Sequence, residues 1–220
     1  MKLKWLGHSS WKLTTSGKII YIDPYRGEYD EKADLILSTH SHNDHCDPSK
    51  IVLAYHEGTE IIAPPGCAKN IANTEIKGDV STFWKSLKPG AKEEYGDIVI
   101  EAVEAYNVKR FREPGKPFHP KGLGVGYVIH AEGKKVYHVG DSDYIPEMNV
   151  LKDIDVLLIP TGDTYTMDNE DAAEATMAMK PKVAIPMHVW DTNPAIFKKL
   201  VESNSDIKVV NLYVGDAYEV

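Results

Sequence analysis

Short segments of apolar or alternating apolar and polar residues recur along the whole 220-residue chain. The first three are separated by Ser-Ser and Ser-Gly pairs, a pattern typical of half-buried strands joined by turns. Several later segments are continuously apolar, which favours strands buried on both faces. The predicted strands are residues 3–8, 11–15, 18–23, 34–39, 60–63, 97–106, 124–130, 134–141, 155–160, 183–188 and 207–214.

Helices are predicted between these strands, over 48–56, 65–73, 169–179 and 193–203. The first and last of them follow Asp47-Pro48 and Asn193-Pro194, in which a capping side chain precedes a proline suited to the first helical position. Asp168, with Asp171 three residues later, caps the third. Strands followed by strand–helix alternation in each half favour the α/β class, with two facing sheets and helices outside.

Residues 107–121, NVKRFREPGKPFHPK, interrupt this alternation with a polar segment that contains three prolines. It is the longest stretch without a clear period, so we predict an irregular loop there. We also expect it to be the seam between the two halves of one domain, residues 1–220, because the chain length suits a single domain with a sizeable core.

The composition is ordinary for a globular protein, with 42% hydrophobic and 26% charged residues, and this excludes disordered and fibrous classes. The net charge of −8 argues against broad nucleic-acid or membrane-surface binding, though not against a local basic patch. We see no signal-peptide core and no membrane-length apolar run, and we expect a cytoplasmic protein. Cys46 is open to two interpretations, a metal ligand or redox sensor, or a small residue near a helix start.

The most unusual stretch is THSHNDHCD, residues 39–47, which places three histidines and two aspartates directly after a buried strand. Burying these groups without a compensating positive charge would be costly, so a divalent metal is the natural candidate. His40 and His42 point to the same side of an extended strand end. Asp44 and His45 can face the same cavity if the chain then turns into a helix. Imidazole suits zinc, iron or manganese, and the carboxylate adds the charge that a second ion needs.

This motif and its surroundings resemble the metallo-β-lactamase superfamily of hydrolases. The similarity is greatest to its branch of small single-domain enzymes that includes the UlaG-like ascorbate-phosphate lactonases. It rests also on GHSSWKL near the start, on Asp23-Pro24, and on HVGDSD, TYTMD and IPMH further along. The resemblance implies a four-layer αββα sandwich, with a binuclear metal site at one edge of the two sheets.

The resemblance also implies a ligand set for two divalent ions, zinc in the first place, with manganese or iron as alternatives. His40 and His42 would bind the first ion, and Asp141 would bridge both ions. The second would be bound by Asp44, His45 and His188. Asp23 would orient the histidine loop from behind, as the outer partners of metal ligands do.

The sequence departs from the family pattern at one ligand. Relatives place a third histidine for the first ion after the strand that here ends in Tyr106-Asn107. Asn107 could ligate through its amide oxygen, or His119 could supply the nitrogen from the loop beyond, as a ligand or a substrate contact. We favour a role for His119 as a ligand or substrate contact over a purely structural one, and the departure leaves the occupancy and the metal of the first site open.

The same loop carries a group of cations that could clamp an anionic substrate. They are Lys109, Arg110, Arg112, Lys116 and Lys121, against the single acid Glu113. Near the expected mouth of the site, His8 could donate a proton to the leaving group. Tyr165 and Met167 could line the pocket, although simple packing explains them nearly as well.

These patterns together predict a metal-dependent hydrolase. A metal-activated hydroxide would attack an ester, lactone or phosphodiester of a small anionic molecule, with Asp44 orienting the nucleophile. One rival is an iron-dependent oxidoreductase of the same fold, and another is a catalytically silent metal- or ligand-binding protein. A nuclease is disfavoured because 220 residues leave no room for an RNA-clamping domain. The sequence is compatible with a homo-oligomer.

Overall fold

The computed structural model describes residues 1–72, 74–76 and 84–220. The helices are α1 (Pro48–Ala54), α2 (Pro65–Ala72), α3 (Asn169–Met179) and α4 (Pro194–Asn204), with a 3₁₀ helix at Pro146–Val150. The strands are β1 (Lys2–Gly7), β2 (Ser10–Thr15), β3 (Lys18–Ile22), β4 (Leu35–Leu37), β5 (Glu60–Ile62), β6 (Trp84–Lys85), β7 (Lys92–Tyr95), β8 (Ile98–Ala105), β9 (Phe111–Glu113), β10 (Lys116–Pro117), β11 (Gly124–Ala131), β12 (Lys134–His138), β13 (Val156–Pro160), β14 (Val183–Met187), β15 (Lys208–Val209) and β16 (Ala217–Glu219).

Among the described residues the strands form two large sheets and one small hairpin. The N-terminal sheet has the order β16-β1-β2-β3-β4-β5-β6, and the C-terminal sheet has the order β15-β14-β13-β12-β11-β8-β7. A central apolar core lies between them, contributed by residues such as Trp11 and Leu13 from one sheet and Tyr127 and Ile185 from the other. The predicted pairing of two facing sheets is therefore confirmed.

Two further apolar clusters lie on the outer faces of the sheets. On the N-terminal sheet, buried side chains of α1 and α2, including Ile51 and Ile71, pack against Ile36 and Ile61. On the C-terminal sheet, α3 and α4 pack over β13 and β14 through residues that include Phe197. The layers are thus helices, sheet, sheet and helices, which confirms the αββα sandwich and the mixed α/β class.

Parallel strand pairs bring the polar segments of the chain to one place. β3, β4, β5 and β6 are mutually parallel neighbours in the first sheet, as are β12, β13, β14 and β15 in the second. The carboxyl ends of parallel strands meet at one edge of a sheet. Asp23 follows β3 and His40 lies just beyond β4, while Asp141 lies just beyond β12 and His188 follows β14.

The predicted seam at 107–121 is wrong. β6 pairs with β5 in the first sheet, whereas β7 pairs with β8 in the second, so the chain changes sheets between residues 85 and 92. β8 pairs with β11 along its length, with Ala105 opposite Gly124, so the segment 107–121 is an excursion within the second sheet. It is also not wholly irregular, because β9 and β10 form a small antiparallel hairpin there.

Several predicted boundaries were too long. α1 ends at Ala54, since Tyr55 is already extended. The described part of α2 reaches Ala72, and its predicted end at residue 73 stays a prediction because that residue lies outside the described ones. The predicted last strand, 207–214, is reduced to Lys208–Val209. In the part of the chain that the structure describes, no helix combines the length and apolar character needed to cross a bilayer.

Candidate metal centre

The histidine loop after β4 folds back on itself so that its side chains converge. The backbone N–H groups of His45 and Cys46 both donate to the carbonyl oxygen of His42, at 3.0 and 2.9 Å, which closes a turn. His40 and His45 are buried by the sheets, while His42 remains partly open. The nine-residue motif therefore presents several imidazoles to one buried point.

Ligating atoms from distant parts of the chain meet these imidazoles in three groups, each with all its atoms within 4.8 Å of one another. One of them, made of His40, His45 and Asp141, overlaps the other two, which share no residue with each other. We call these other two the His40 group and the His45 group. The His40 group contains His40, His42 and His119. The His45 group contains His8, Asp44, His45 and His188.

Asp141 lies between the two groups. Its Oδ2 atom is 3.2 Å from Nε2 of His119 in the His40 group. The same atom is 3.3 Å from Nε2 of both His45 and His188 in the His45 group, and 3.8 Å from Nε2 of His40. One carboxylate is thus placed to contact ions in either group.

Several buried polar atoms of this cluster have no hydrogen-bond partner within the protein. They are Oδ1 of Asp141, Nε2 of His45 and both ring nitrogens of His188. Buried polar atoms are rarely left unsatisfied, because each costs about 1–3 kcal/mol. Imidazole nitrogens and carboxylate oxygens are the ligands that zinc and similar divalent ions prefer, so the residues present fit such ions.

The electrostatics of the His40 group favour ligation. Burial lowers the pKa of His40 well below its ordinary value, and it lowers the pKa of His42 and of His119 as well, the last to about 4. These rings are therefore neutral at neutral pH, and the neutral imidazole is the form that binds metals.

Carboxylates in the cluster are held in their ionised form. Burial alone would raise the pKa of Asp141, but His188 and His45 beside it lower that pKa well below its usual range. Burial would raise the pKa of Asp44, but a hydrogen bond from His8, together with the charges of His45 and His8, lowers it to about 2. Burial would lower the pKa of His45, but the carboxylates of Asp141 and Asp23 raise it well above its usual value. A metal on Nε2 of His45 would take the place of that proton.

Asp23 fixes the orientation of His45 from behind. Its Oδ2 atom accepts from Nδ1 of His45 at 2.7 Å and from the hydroxyl of Thr39 at 2.8 Å, and its Oδ1 accepts from the Thr39 N–H at 2.7 Å. Nε2 of His45 is consequently turned toward the cluster. This is the arrangement expected of a carboxylate that supports a metal-binding histidine.

Asn107 and His119, the two alternatives for the missing third histidine, lie in contact. Oδ1 of Asn107 accepts from the His119 N–H at 2.8 Å and from Nδ1 of the same residue at 2.9 Å, while Nδ2 of Asn107 donates to the carbonyl oxygen of Tyr165. The amide oxygen of Asn107 is therefore directed at His119 rather than at the cluster. The structure brings His119 into the His40 group and places Asn107 behind it.

Two glycines allow the backbone to approach this cluster closely. A Cβ atom on Gly124 would lie 2.6 Å from Cβ of His40, and one on Gly162 would lie 2.0 Å from the carbonyl oxygen of His188. Sequence reasoning did not single out either glycine. Their role depends on contacts with residues far away in the chain, so no local signal could have identified it.

Asp143, which sequence reasoning did not single out, anchors the segment that carries Asn107 and His119. This fully buried carboxylate accepts from the N–H groups of Val108, Lys109 and Arg110 at 2.7, 2.6 and 3.1 Å. Its other oxygen accepts from the guanidinium of Arg110 at 3.3 Å. Arg110 also donates to Asp168 at 3.0 Å and to Asp171.

We therefore expect Asp143→Asn to weaken metal binding by the His40 group and to leave metal binding by the His45 group unchanged. Without the negative charge of Asp143, the loop that carries His119 should be held less firmly. Residues that orient metal ligands from behind typically contribute 10–100-fold to metal affinity. Chelator competition with metal counted per chain measures this. Asp163→Asn is the matched control, because Asp163 lies at the edge of the same network. Its carboxylate is 58% exposed, and its contact with Arg110 is a long one, 3.6 Å. Equal metal affinities in the wild type and Asp143→Asn would contradict the anchoring role.

An open cavity of about 270 Å³ lies against the cluster. Of the residues predicted from the sequence to contact substrate, Arg112 and Tyr165 line it. Phe118 and Trp190, which sequence reasoning missed, also line it. The sequence did offer one signal for Trp190, because it lies two residues after the predicted ligand His188.

Three of the predicted substrate contacts do not reach this cavity. Arg110 is nearly buried and is held by aspartates. Lys121 forms ion pairs with Glu147 at 2.8 Å and Glu104 at 3.3 Å, and Met167 is fully buried in the core beneath α3. The prediction that these three residues contact substrate is therefore wrong. It could not be avoided from local sequence, because the residues that these side chains contact lie far away in the chain.

The remaining candidates are placed as follows. His8 lies in the His45 group, with Nε2 3.2 Å from Oδ2 of Asp44 and its ring 4.0 Å from that of His188. Lys109 and Lys116 form ion pairs with Asp171 and Glu113 at the surface. Cys46 is buried in the core beside α1 and belongs to neither group of ligating atoms.

Comparison with known proteins agrees with this fold and cluster. The family model for the β-lactamase superfamily domain matches residues 2–188. A UPF0173 metal-dependent hydrolase from Archaeoglobus fulgidus is 32% identical, over 100% of this chain and 99% of that protein.

Solved structures give the same result. A protein from Parabacteroides distasonis is 34% identical with a TM-score of 0.84, covering 95% of this chain and 91% of its own. The metallo hydrolase Igni18 from Ignicoccus hospitalis is 25% identical with a TM-score of 0.78, covering 100% of this chain and 98% of its own. By its sequence, its sandwich and its cluster of histidines and aspartates, the chain belongs to the UPF0173 family of metal-dependent hydrolases within the β-lactamase superfamily.

Proposed function

We propose that the protein hydrolyses an ester, lactone or phosphodiester bond of a small anionic molecule with two divalent ions, zinc foremost. The observation that supports this is the position of Asp141, whose single Oδ2 atom lies within 3.3 Å of imidazoles from both groups. A carboxylate between two sets of ligands suits a pair of ions better than one. Such a pair, when bound, supplies a hydroxide by lowering the pKa of bound water to about 7 and polarises the attacked group.

The residues of the chain divide this work. His40, His42 and His119 would hold one ion, Asp44, His45 and His188 the other, and Asp141 both. Asp23 and Asn107 hold the rings of His45 and His119 so that their Nε2 atoms point into the cluster, where they would bind the ions. The burial of nearly all these groups excludes water from every side except the cavity, which strengthens their electrostatic contacts.

Asp44 is the ligand best placed to orient the nucleophile, because it is the partly exposed carboxylate at the cavity wall. Its Oδ2 atom is fixed by Nε2 of His8 at 3.2 Å. We therefore assign His8 first the role of holding Asp44 in place. Proton donation by His8 to the leaving group stays a prediction from the sequence.

Reconstitution tests this function. Metal-free protein loaded separately with zinc, manganese or ferrous iron should bind two ions per chain, and the zinc form should hydrolyse members of a panel of aryl esters, lactones and phosphodiesters. Oxygen consumption should be absent. His130→Ala is the matched control, because His130 bonds to Glu101 on the sheet outside both groups and its loss should leave metal content unchanged.

Each rival function gives a different result. Oxygen uptake by the iron form without hydrolysis would indicate an oxidoreductase and overturn the proposal. Two bound ions with no turnover over the whole panel would favour the catalytically silent binding protein. One ion per chain at saturation would contradict the binuclear arrangement.

A further inference from the structure

One wall of the cavity is a continuous run of a guanidinium and three aromatic rings. The guanidinium of Arg112 lies 5.3 Å from the centre of the Phe118 ring. The Phe118 ring packs edge-on against Tyr165 at 4.8 Å, and Tyr165 lies 6.1 Å from Trp190. All four residues line the cavity that also contains His42, His119 and Asp141.

The two ends of this wall lie beside different ligand groups. At one end, Trp190 packs beside the His45 group, 5.4 Å from the ring of His8 and 5.9 Å from that of His188. At the other end, Arg112 lies over the ring of Phe118, which directly precedes His119 of the His40 group in the chain, and His42 and His119 line the same cavity. A molecule lying along the wall would therefore span both groups.

The cation on this wall is free to bind a ligand. Lys109, Arg110, Lys116 and Lys121 of the same loop all form ion pairs with acids of the protein. Arg112 is exposed and, within the described residues, has no ion pair with a carboxylate. An arginine stacked on a ring is oriented for two-point binding of an oxyanion.

The aromatic part of the wall is also accessible. Tyr165 is 39% exposed and Trp190 is 56% exposed, although both lie beside a strongly polar centre. Large apolar side chains exposed at the rim of a polar cavity are typical of ligand-binding sites. Flat rings of this kind favour stacked or edge-to-face contact with another flat ring.

We propose that the substrate is a small ester, lactone or phosphodiester with a flat, unsaturated ring that lies on Tyr165 and Trp190 and an oxyanion that binds Arg112 at the His40-group end. This rests on the proposed function and specifies its substrate class. The cavity of about 270 Å³ has room for a substituted ring of this kind.

Calorimetric titration of the zinc-loaded protein tests this with three probes. Benzoate has both the ring and the charge, cyclohexanecarboxylate has the charge without a flat ring, and benzamide has the ring without the charge. Wild-type protein should bind benzoate most tightly of the three. A parallel titration with phenylphosphonate identifies whether the preferred oxyanion is a carboxylate or a phosphate-like group.

Two variants separate the two ends of the wall. Arg112→Gln should weaken benzoate about 10-fold and leave benzamide unchanged, since hydrogen bonds to charged groups are the stronger class. Trp190→Leu should weaken benzoate and benzamide about 3-fold to 10-fold and cyclohexanecarboxylate much less.

Matched controls come from the same types of residue elsewhere. Arg26→Gln removes an exposed arginine that lies 4.6 Å over the ring of Tyr25 outside the cavity, and Tyr213→Leu removes a surface ring that is 83% exposed. Neither should change the binding of any probe.

The inference is overturned if benzoate shows no detectable binding, if it binds no better than cyclohexanecarboxylate, or if Arg112→Gln leaves its affinity unchanged. Its failure is separable from that of the proposed function, because the readout is the heat of binding. If the probes bind in the expected order but no ester is hydrolysed, only the proposed hydrolase function is contradicted. If the rate of hydrolysis depends on neither the ring nor the charge of the substrate, and is the same in Arg112→Gln as in the wild type, only the substrate class is contradicted.

Discussion

Asp141→Ala is expected to release both metal ions and to abolish hydrolysis. Oδ2 of Asp141 lies 3.2 to 3.3 Å from Nε2 of His119 in the His40 group and of His45 and His188 in the His45 group. Without it, neither group would keep a carboxylate shared with the other, and the negative charge that would lie between two bound ions would be lost. Metal counted per chain after gel filtration, together with turnover, measures the effect.

Two further variants separate loss of the bridge from loss of the fold. Asp141→Asn keeps the shape and removes the charge, so it should lose most of the metal while its thermal unfolding stays cooperative. Asp155→Asn is the matched control, because Asp155 is a nearly buried aspartate that accepts from the Lys135 N–H at 2.8 Å and binds Lys182 away from the centre. It should keep both ions. An Asp141→Ala protein with full metal content and full turnover would show that the centre is assigned to the wrong residues.

The parts of the centre that could be predicted from the sequence share one property, their place directly after a buried strand. His40, Asp141 and His188 each follow a strand whose apolar pattern is unmistakable, namely β4, β12 and β14. In a fold built on parallel strands, chain position after a strand determines spatial position at the sheet edge. Local pattern and family resemblance therefore gave the same residues.

The parts that could not be predicted depend on partners distant in sequence. The charge of Arg110 was visible, but its partners Asp168 and Asp171 lie 58 and 61 residues away, and a local reading assigned the cation to a substrate. Met167 likewise lies in a predicted site segment, yet the turn before α3 directs it into the core. Ion-pair partners and side-chain directions depend on the tertiary structure, and hydrophobic periodicity gives no information about them.

The seam was misplaced for a related reason. Three prolines and five cations make 107–121 look like a connection between units, but β8 and β11 on either side of it are direct neighbours in one sheet. The excursion exists because it carries His119 back over the strand ends, where Asp143 anchors it through three backbone N–H groups. Its irregular composition reflects a functional loop on a rigid scaffold.

His119→Ala is expected to remove the ion of the His40 group while the ion of the His45 group stays bound. Nε2 of His119 belongs to the first group and lies 3.2 Å from Asp141, so the substitution removes one ligand from one ion. Because outer partners alone contribute 10–100-fold to metal affinity, loss of a ligand should cost at least about that much. His42→Ala should act in the same direction. Chelator titration with metal counted per chain should show one ion lost early and the other retained.

Variants of Asn107 distinguish a ligand from the residue that orients it. Asn107→Ala removes the oxygen that accepts from Nδ1 and from the N–H of His119, so we expect an intermediate loss of about 10-fold in the same ion. Asn107→Asp keeps an acceptor and adds charge, as in the carboxylate–histidine pairs that strengthen zinc sites, so it should hold this ion as firmly as the wild type or more so. If Asn107 were itself the ligand, Asn107→Ala would cost more than His119→Ala, and the site would favour manganese over zinc. The order of the two alanine variants in one chelator series decides between these arrangements.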